Sequence, residues 1–180
     1  MKEAIRIGIL APAFDLPGAD GKNHTLAGIL EGRRAVVILF WCNHCPYVKS
    51  YEERIKKMAQ RYASKGVAFA LINSDNETAH PEDTLENMKT RATAAGYPFP
   101  YLRDKGGAAA QAYEAGTIPE AFVVDATGAV RYAGKIDDCW QSERRVKRHP
   151  LRDALEDVLH DRDVAVKTTP PVGCAIKREA

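Results

Sequence analysis

The stretch "RAVVILFWCNHCPYVKSYEERIKKM", residues 34–58, decides the fold. Its first eight residues, 34–41, form an apolar run after the leading Arg34, rich in β-branched side chains, the pattern of a central strand covered on both faces. The run ends at Cys42. Pro46 then suits the first turn of a helix, where a missing N–H costs nothing. Val48, Tyr51, Ile55, Met58 and Tyr62 follow at spacings of three and four, so an amphipathic helix is predicted from Pro46 to near Gly66. Two cysteines, Cys42 and Cys45, with His44 between them, therefore stand at a strand-to-helix junction.

That junction has consequences for sulfur chemistry. A thiol there faces unpaired amides and the positive end of the helix dipole, both of which favour thiolate over thiol. Cys42 is the expected nucleophile. Cys45 lies close enough to close a disulfide with it and to resolve a mixed disulfide. His44 adds positive charge, which stabilises the reduced pair and makes it more oxidising. Two other readings compete: a structural metal site, and two inert core cysteines. A zinc site needs about four ligands, and the chain has no second CxxC; Cys139, Cys174, His149 and His160 are scattered along it. No metal is expected.

Outward from the junction, "VAFALIN" (67–73) reads as a second buried strand and "PEDTLENMKTRATAAG" (81–96) as one helix, opening on proline and acids and closing on glycine. Strand, helix, strand, helix implies a βαβ unit with a parallel pair. Upstream, extended pieces at Phe14 to Leu16 and His24 to Leu26 flank "PGADGK", whose Asp20-Gly21 signals a hairpin. Downstream come a short strand near Tyr101, a small helix over Ala108 to Ala115, two alternating runs about a turn at Ala126 to Gly128, and a last helix in "HPLRDALEDVLHDR". The α/β pattern implies one domain over 1–160 and a C-terminal tail over 161–180.

Composition agrees. The 180 residues are 45% hydrophobic and 28% charged, the balance of a folded soluble domain. Twenty-six basic and 24 acidic side chains leave a formal charge of +2, which gives no general pull toward nucleic acid or a membrane surface. The opening residues lack a secretory core and no apolar run is long enough to span a bilayer, so a cytoplasmic setting is expected. Four cysteines are too few for a disulfide scaffold, and in a reducing compartment a CxxC pair is more often catalytic or metal-binding.

Together, "GILAPAFDLPGADGK", "FWCNHCPYV", "TIPEAFVVDATGAVRYAGKID" and "PVGCAIK" make the chain similar, over nearly its whole length, to the peroxiredoxin-like proteins of the AhpC/TSA-redoxin branch of the thioredoxin fold. The resemblance implies a central mixed β-sheet flanked by helices, preceded by an N-terminal hairpin. It implies thiol-disulfide exchange with a protein or low-molecular-weight thiol substrate, a cellular reductant and no cofactor beyond the dithiol. By the same resemblance Cys42 is the attacking thiol, Cys45 the resolving one and Pro119 the cis-proline, which turns the backbone of Ile118 toward the CxxC to pair with an extended substrate. Trp41, Asn43, Pro46 and Ile118 complete the expected substrate contacts, and Cys174 is a candidate auxiliary thiol.

The departures matter as well. Thioredoxins carry a buried acid on the strand before the motif and "AVVILF" has none, which leaves Glu120, Asp137 or Asp138 as substitutes. Cys45-Pro46 falls where peroxiredoxins carry the peroxidatic Cys-Pro, but Cys42 replaces their threonine, Ile38 their proline, and Pro119 stands where their arginine would be. A thiol peroxidase is thus the alternative to an oxidoreductase, and a redox-responsive binding protein without turnover a second one.

Overall fold

The computed structural model describes residues 7–179. The chain enters through the hairpin expected at Asp20-Gly21: β1 (Asp15–Pro17) pairs antiparallel with β2 (Asn23–Thr25), and Leu16 faces His24. Thr25 then starts a helix that the sequence reading missed, α1 (Leu26–Leu30), its side chain accepting a hydrogen bond from the Gly28 N–H. After it comes β3 (Ala35–Phe40), every residue of which is buried.

β3 is followed by α2 (Pro46–Ala63), with Cys45 as its N-cap residue and the proline in its first turn. Val48, Tyr51, Ile55, Ala59 and Tyr62 form its buried stripe; Met58 is only partly covered, because the 3.6-residue period brings Ala59 under the sheet instead. The left-handed Gly66 (φ +79°) then turns the chain into β4 (Val67–Asn73).

The single helix expected over 81–96 is broken. A 3-10 turn covers Pro81–Asp83, Thr84 is extended, and α3 (Leu85–Ala95) starts afresh with the Thr84 hydroxyl accepting the Asn87 N–H. The break turns the buried Asp83 carboxylate toward the CxxC. β5 (Tyr101–Arg103), the short α4 (Ala108–Ala112), β6 (Thr117–Ile118), β7 (Glu120–Asp125), β8 (Val130–Gly134), a 3-10 turn over Glu143–Arg145, α5 (Pro150–Leu159) and β9 (Cys174–Ala175) complete the chain. Among the described residues no helix is long and apolar enough to cross a membrane.

Five strands make one mixed sheet in the order β5-β4-β3-β7-β8. β3 runs parallel to β4, with Ala35 opposite Val67, and antiparallel to β7, with Phe40 opposite Glu120. Alternate residues feed two cores: Ala35, Val37 and Leu39 meet α2 and α5 on one face, while Val36, Ile38 and Phe40 meet α1 and α4 on the other. β7 shares this arrangement, with Ala121 and Val123 in the first core and Phe122 and Val124 in the second, so it is apolar on both sides rather than alternating as expected. Each aliphatic or aromatic side chain so buried contributes about 1.5–3 kcal/mol. Covered on both faces and hydrogen-bonded on both edges, β3 is a rigid platform for the residues at its C-terminal end.

The tail docks along the domain. Thr168 bridges Ala133 of β8, the Thr169 hydroxyl bonds Tyr132 Oη at 2.6 Å, and β9 pairs antiparallel with β6.

Candidate active site

Cys42 follows β3 and Cys45 caps α2, and both side chains are fully buried. Three elements close over them. The Ile118–Pro119 peptide is cis, and the Ile118 carbonyl lies 3.6 Å from Cys45 Sγ, which donates to it. The 3-10 turn brings Asp83. The tail brings Cys174, whose Sγ stands 2.8 Å from Cys45 Sγ. Cys42, Cys45, Pro119, Ile118 and Cys174 are thus brought together from three separate parts of the chain.

The field on the sulfurs is uneven. A hydrogen bond from Cys42 lowers the Cys45 thiol to about 5, against burial that raises it; the Cys174 thiol and the helix-end amides of Val48 and Tyr47 lower it further. Sharing that proton with Cys45 raises Cys42, as do burial and the negative charge of Asp83. Burial and the neighbouring Cys45 push Cys174 up to about 12. With the tail docked, the surroundings favour ionisation at Cys45 over its two sulfur neighbours, and the pair titrates as a unit.

His44 lies in a cluster that the sequence reading did not anticipate. Its Nδ1 is 2.5 Å from Asp83 Oδ2, its Nε2 is 3.5 Å from Asp75 Oδ2, and its ring stacks on His80 with centroids 3.8 Å apart. Asp83 also accepts the Asn43 N–H at 2.6 Å and the Asn73 side-chain amide at 2.9 Å. The acids whose atoms reach the motif are therefore Asp83 and Asp75, on the segment "SDNETAHPED" after β4. The three suggested substitutes are engaged elsewhere. Glu120 accepts the N–H groups of Gly116 and Thr117, Asp137 is held by Arg54 at 2.7 Å and Tyr51 at 2.7 Å, and the exposed Asp138 accepts the Lys147 N–H. The signal for Asp83 was its place after His80 and Pro81, but only the tertiary fold shows that it faces the thiols.

Donor atoms of Cys42, His44, Asp75 and Asp83 all lie within 4.8 Å of one another, a set that a zinc-sized cation could use. Here the imidazole hydrogen-bonds Asp83 and lies 3.5 Å from Asp75 Oδ2, a buried oxygen with no hydrogen-bond partner among the described residues.

The expected substrate contacts divide. Pro46 is exposed at the helix start. Ile118 is buried, with its backbone paired to the tail. Trp41 is fully buried and donates its indole N–H to Tyr97 Oη at 3.3 Å, so it supports the site from below rather than from the surface. Asn43 is tied on three sides, by the Asp83 carboxylate, the Glu82 carbonyl and the Tyr101 hydroxyl. Cys139 is buried in a separate loop, 3.8 Å from Gln141 Oε1.

A mixed sheet, a CxxC between central strand and helix, and a cis-proline loop against the second sulfur define a thioredoxin-fold dithiol oxidoreductase. Residues 7–133 match the AhpC/TSA family, and the chain belongs to it. It is 30% identical over 156 residues to the thiol:disulfide interchange protein DsbE of Pseudomonas fluorescens biotype C, covering 82% of this chain and 78% of that one. To the thiol-disulfide oxidoreductase ResA of Geobacillus thermodenitrificans it is 25% identical over 148 residues, 82% of this chain and 78% of the relative. A crystal structure of a hypothetical protein from Sinorhizobium meliloti 1021 superposes with a TM-score of 0.90 at 36% identity, over 99% of this chain and 97% of that one.

Proposed function

We infer that the chain exchanges disulfides with a protein or small-thiol substrate through Cys42 and Cys45, in the manner its named relatives suggest. The observation that carries this reading is the placement of Cys42 and Cys45 at the head of α2, with the carbonyl of Ile118, before the cis-proline, 3.6 Å from Cys45 Sγ. Cys42 attacks the substrate disulfide, and as its S–S bond forms its proton passes to the hydrogen-bonded Cys45. The substrate's distal sulfur leaves as thiolate. Cys45 loses its proton readily in this field and attacks Cys42, releasing the second substrate thiol and closing Cys42–Cys45. His44 lies between two carboxylates beside Cys42. A cytoplasmic setting, where a cellular reductant reopens the pair, belongs to the same proposal.

Incubation of the Cys45→Ser variant with glutathione disulfide tests the roles. A mixed disulfide trapped on Cys42 is expected, and Cys42→Ser should not trap one that persists. Trapping on neither sulfur would end the exchange reading.

One observation favours a second reading: the low-pKa sulfur, Cys45, precedes Pro46, where peroxiredoxins carry their peroxide-reactive cysteine. In that reading Cys45 would pass through sulfenic acid. Hydrogen peroxide consumption under dithiothreitol, compared between wild type and Cys45→Ser, separates the two activities.

A further inference from the structure

The C-terminal tail holds a place on the sheet edge that the exchange reading leaves for a substrate. β9 pairs antiparallel with β6, with Cys174 opposite Ile118, immediately before Pro119. Two further bonds pin it: the Ile176 N–H donates to the Gly116 carbonyl at 3.0 Å, and the Lys177 N–H to Asp75 Oδ1 at 2.7 Å. The approach is close at Gly173. A Cβ there would fall 1.9 Å from the Ile118 carbonyl oxygen, so only glycine lets the tail lie down. The result is an extended segment, backbone-paired beside the dithiol, that presents a cysteine sulfur 2.8 Å from Cys45 Sγ, within near-attack distance.

We propose that Cys174 is a third catalytic thiol, carried on the chain's own tail as a tethered substrate, and that it exchanges with the Cys42–Cys45 disulfide at Cys45. The proposal rests on the dithiol reading above. Cys174 loses its proton and attacks Cys45 Sγ; the Cys42–Cys45 bond breaks and the Cys45–Cys174 bond forms. The electron pair leaves on Cys42, which takes up one proton, so the step is an isomerisation that needs no external oxidant.

Two features support this direction. The causes that raise Cys174 include the hydrogen bond to Cys45 and its negative charge. Both vanish once Cys45 is in a disulfide, so Cys174 becomes easier to ionise in the state in which it must attack. Moreover, Cys42 and Cys45 are fully buried while Cys174 is only partly so. Exchange therefore moves the disulfide to the sulfur that an incoming reductant thiol can reach. The same docking covers the dithiol, so an external protein disulfide must first displace β9 from β6.

The test is disulfide mapping of the full-length chain after equilibration in a glutathione series, with acid quenching, alkylation and peptide mass spectrometry. Wild type should yield a Cys45–Cys174 cross-linked peptide as well as Cys42–Cys45, and Cys42→Ser should yield Cys45–Cys174 as its internal disulfide. Gly173→Ala, which lifts the tail but keeps every thiol, should lose Cys45–Cys174 at least tenfold and keep Cys42–Cys45. In the reduced state it should alkylate at Cys45 at least tenfold faster than wild type. A poise that fully oxidises Cys42–Cys45 yet yields no Cys45–Cys174 in either wild type or Cys42→Ser overturns the proposal and leaves the exchange reading intact. An unchanged cross-link in folded Gly173→Ala overturns the docked-tail geometry. Failure of the exchange reading shows separately, as absence of Cys42–Cys45 in Cys174→Ser.

Discussion

Asp83 is where the structure departs furthest from the expected source of charge at the thiols, and Asp83→Asn tests its role. The substitution keeps the shape. Asparagine can still accept the Asn43 N–H through its oxygen, and its amide can face His44 Nδ1, so the 3-10 turn has no reason to move. What is lost is a negative charge whose oxygen lies within 4.8 Å of Cys42 Sγ, worth about 3.5 kcal/mol at that separation and an effective dielectric constant of about 20. Relaxation of the surrounding dipoles reduces this, so about a third of it is a reasonable lower bound. At 1.36 kcal/mol per decade the range corresponds to about a 10- to 300-fold rise in the Cys42 thiolate population near neutral pH. The measurement belongs in a Cys45→Ser background, where Cys42 titrates without its sulfur partner. Iodoacetamide alkylation is followed against pH in Cys45→Ser and in Cys45→Ser/Asp83→Asn. The sign is definite: removing an anion favours the thiolate, so the midpoint must move down. A midpoint that stays put or rises would refute the argument that Asp83 holds Cys42 protonated.

Further outcomes are expected elsewhere. His44→Ala leaves two buried carboxylates beside Cys42 without the ring that lies between them, so the dithiol potential measured against glutathione should become more negative by at least about 30 mV, equivalent to about 1.4 kcal/mol; an unchanged or less negative midpoint would mean that His44 only packs. Cys45, held to about 5, should carry about thirtyfold more thiolate at pH 7 than an ordinary thiol. Its alkylation in wild type, with the tail docked, should stay flat as the pH falls from 8 to 6 and decline only on approaching 5, whereas a decline already under way near 8 would contradict the assigned field. Arg54→Met leaves the buried Asp137 with only Tyr51 and the Cys139 N–H, and urea denaturation should show a loss of about 3–5 kcal/mol. A loss below 1 kcal/mol would show that the pair is screened.

The sequence alone determined the central architecture, because the signals there are local. A six-residue apolar strand, a proline in the first helical turn and a three-and-four spacing along α2 are properties of neighbouring residues. They placed Cys42 and Cys45 at the right junction, and the hairpin, β4 and α5 were legible for the same reason. The breaks were less so. Thr84 could cap a new helix or continue an old one, and the choice fell to the buried contact of Asp83 with Asn43 and His44, residues some 40 positions earlier. Likewise, β7 became apolar on both faces only because β3 and β8 flank it and helices cover both sides of the sheet.

The charge environment of the thiols was decided almost wholly by tertiary structure. Electrostatic interactions depend on distance in space and on burial, and neither Asp75 nor Asp83 is near the motif in sequence. The tail shows the same limit most clearly. "PVGCAIK" has no period and no propensity that would dock it, and it lies about 130 residues from Cys45 in the chain. Only the free backbone edge at Thr117–Ile118, and a glycine small enough to approach it, bring Cys174 to the site.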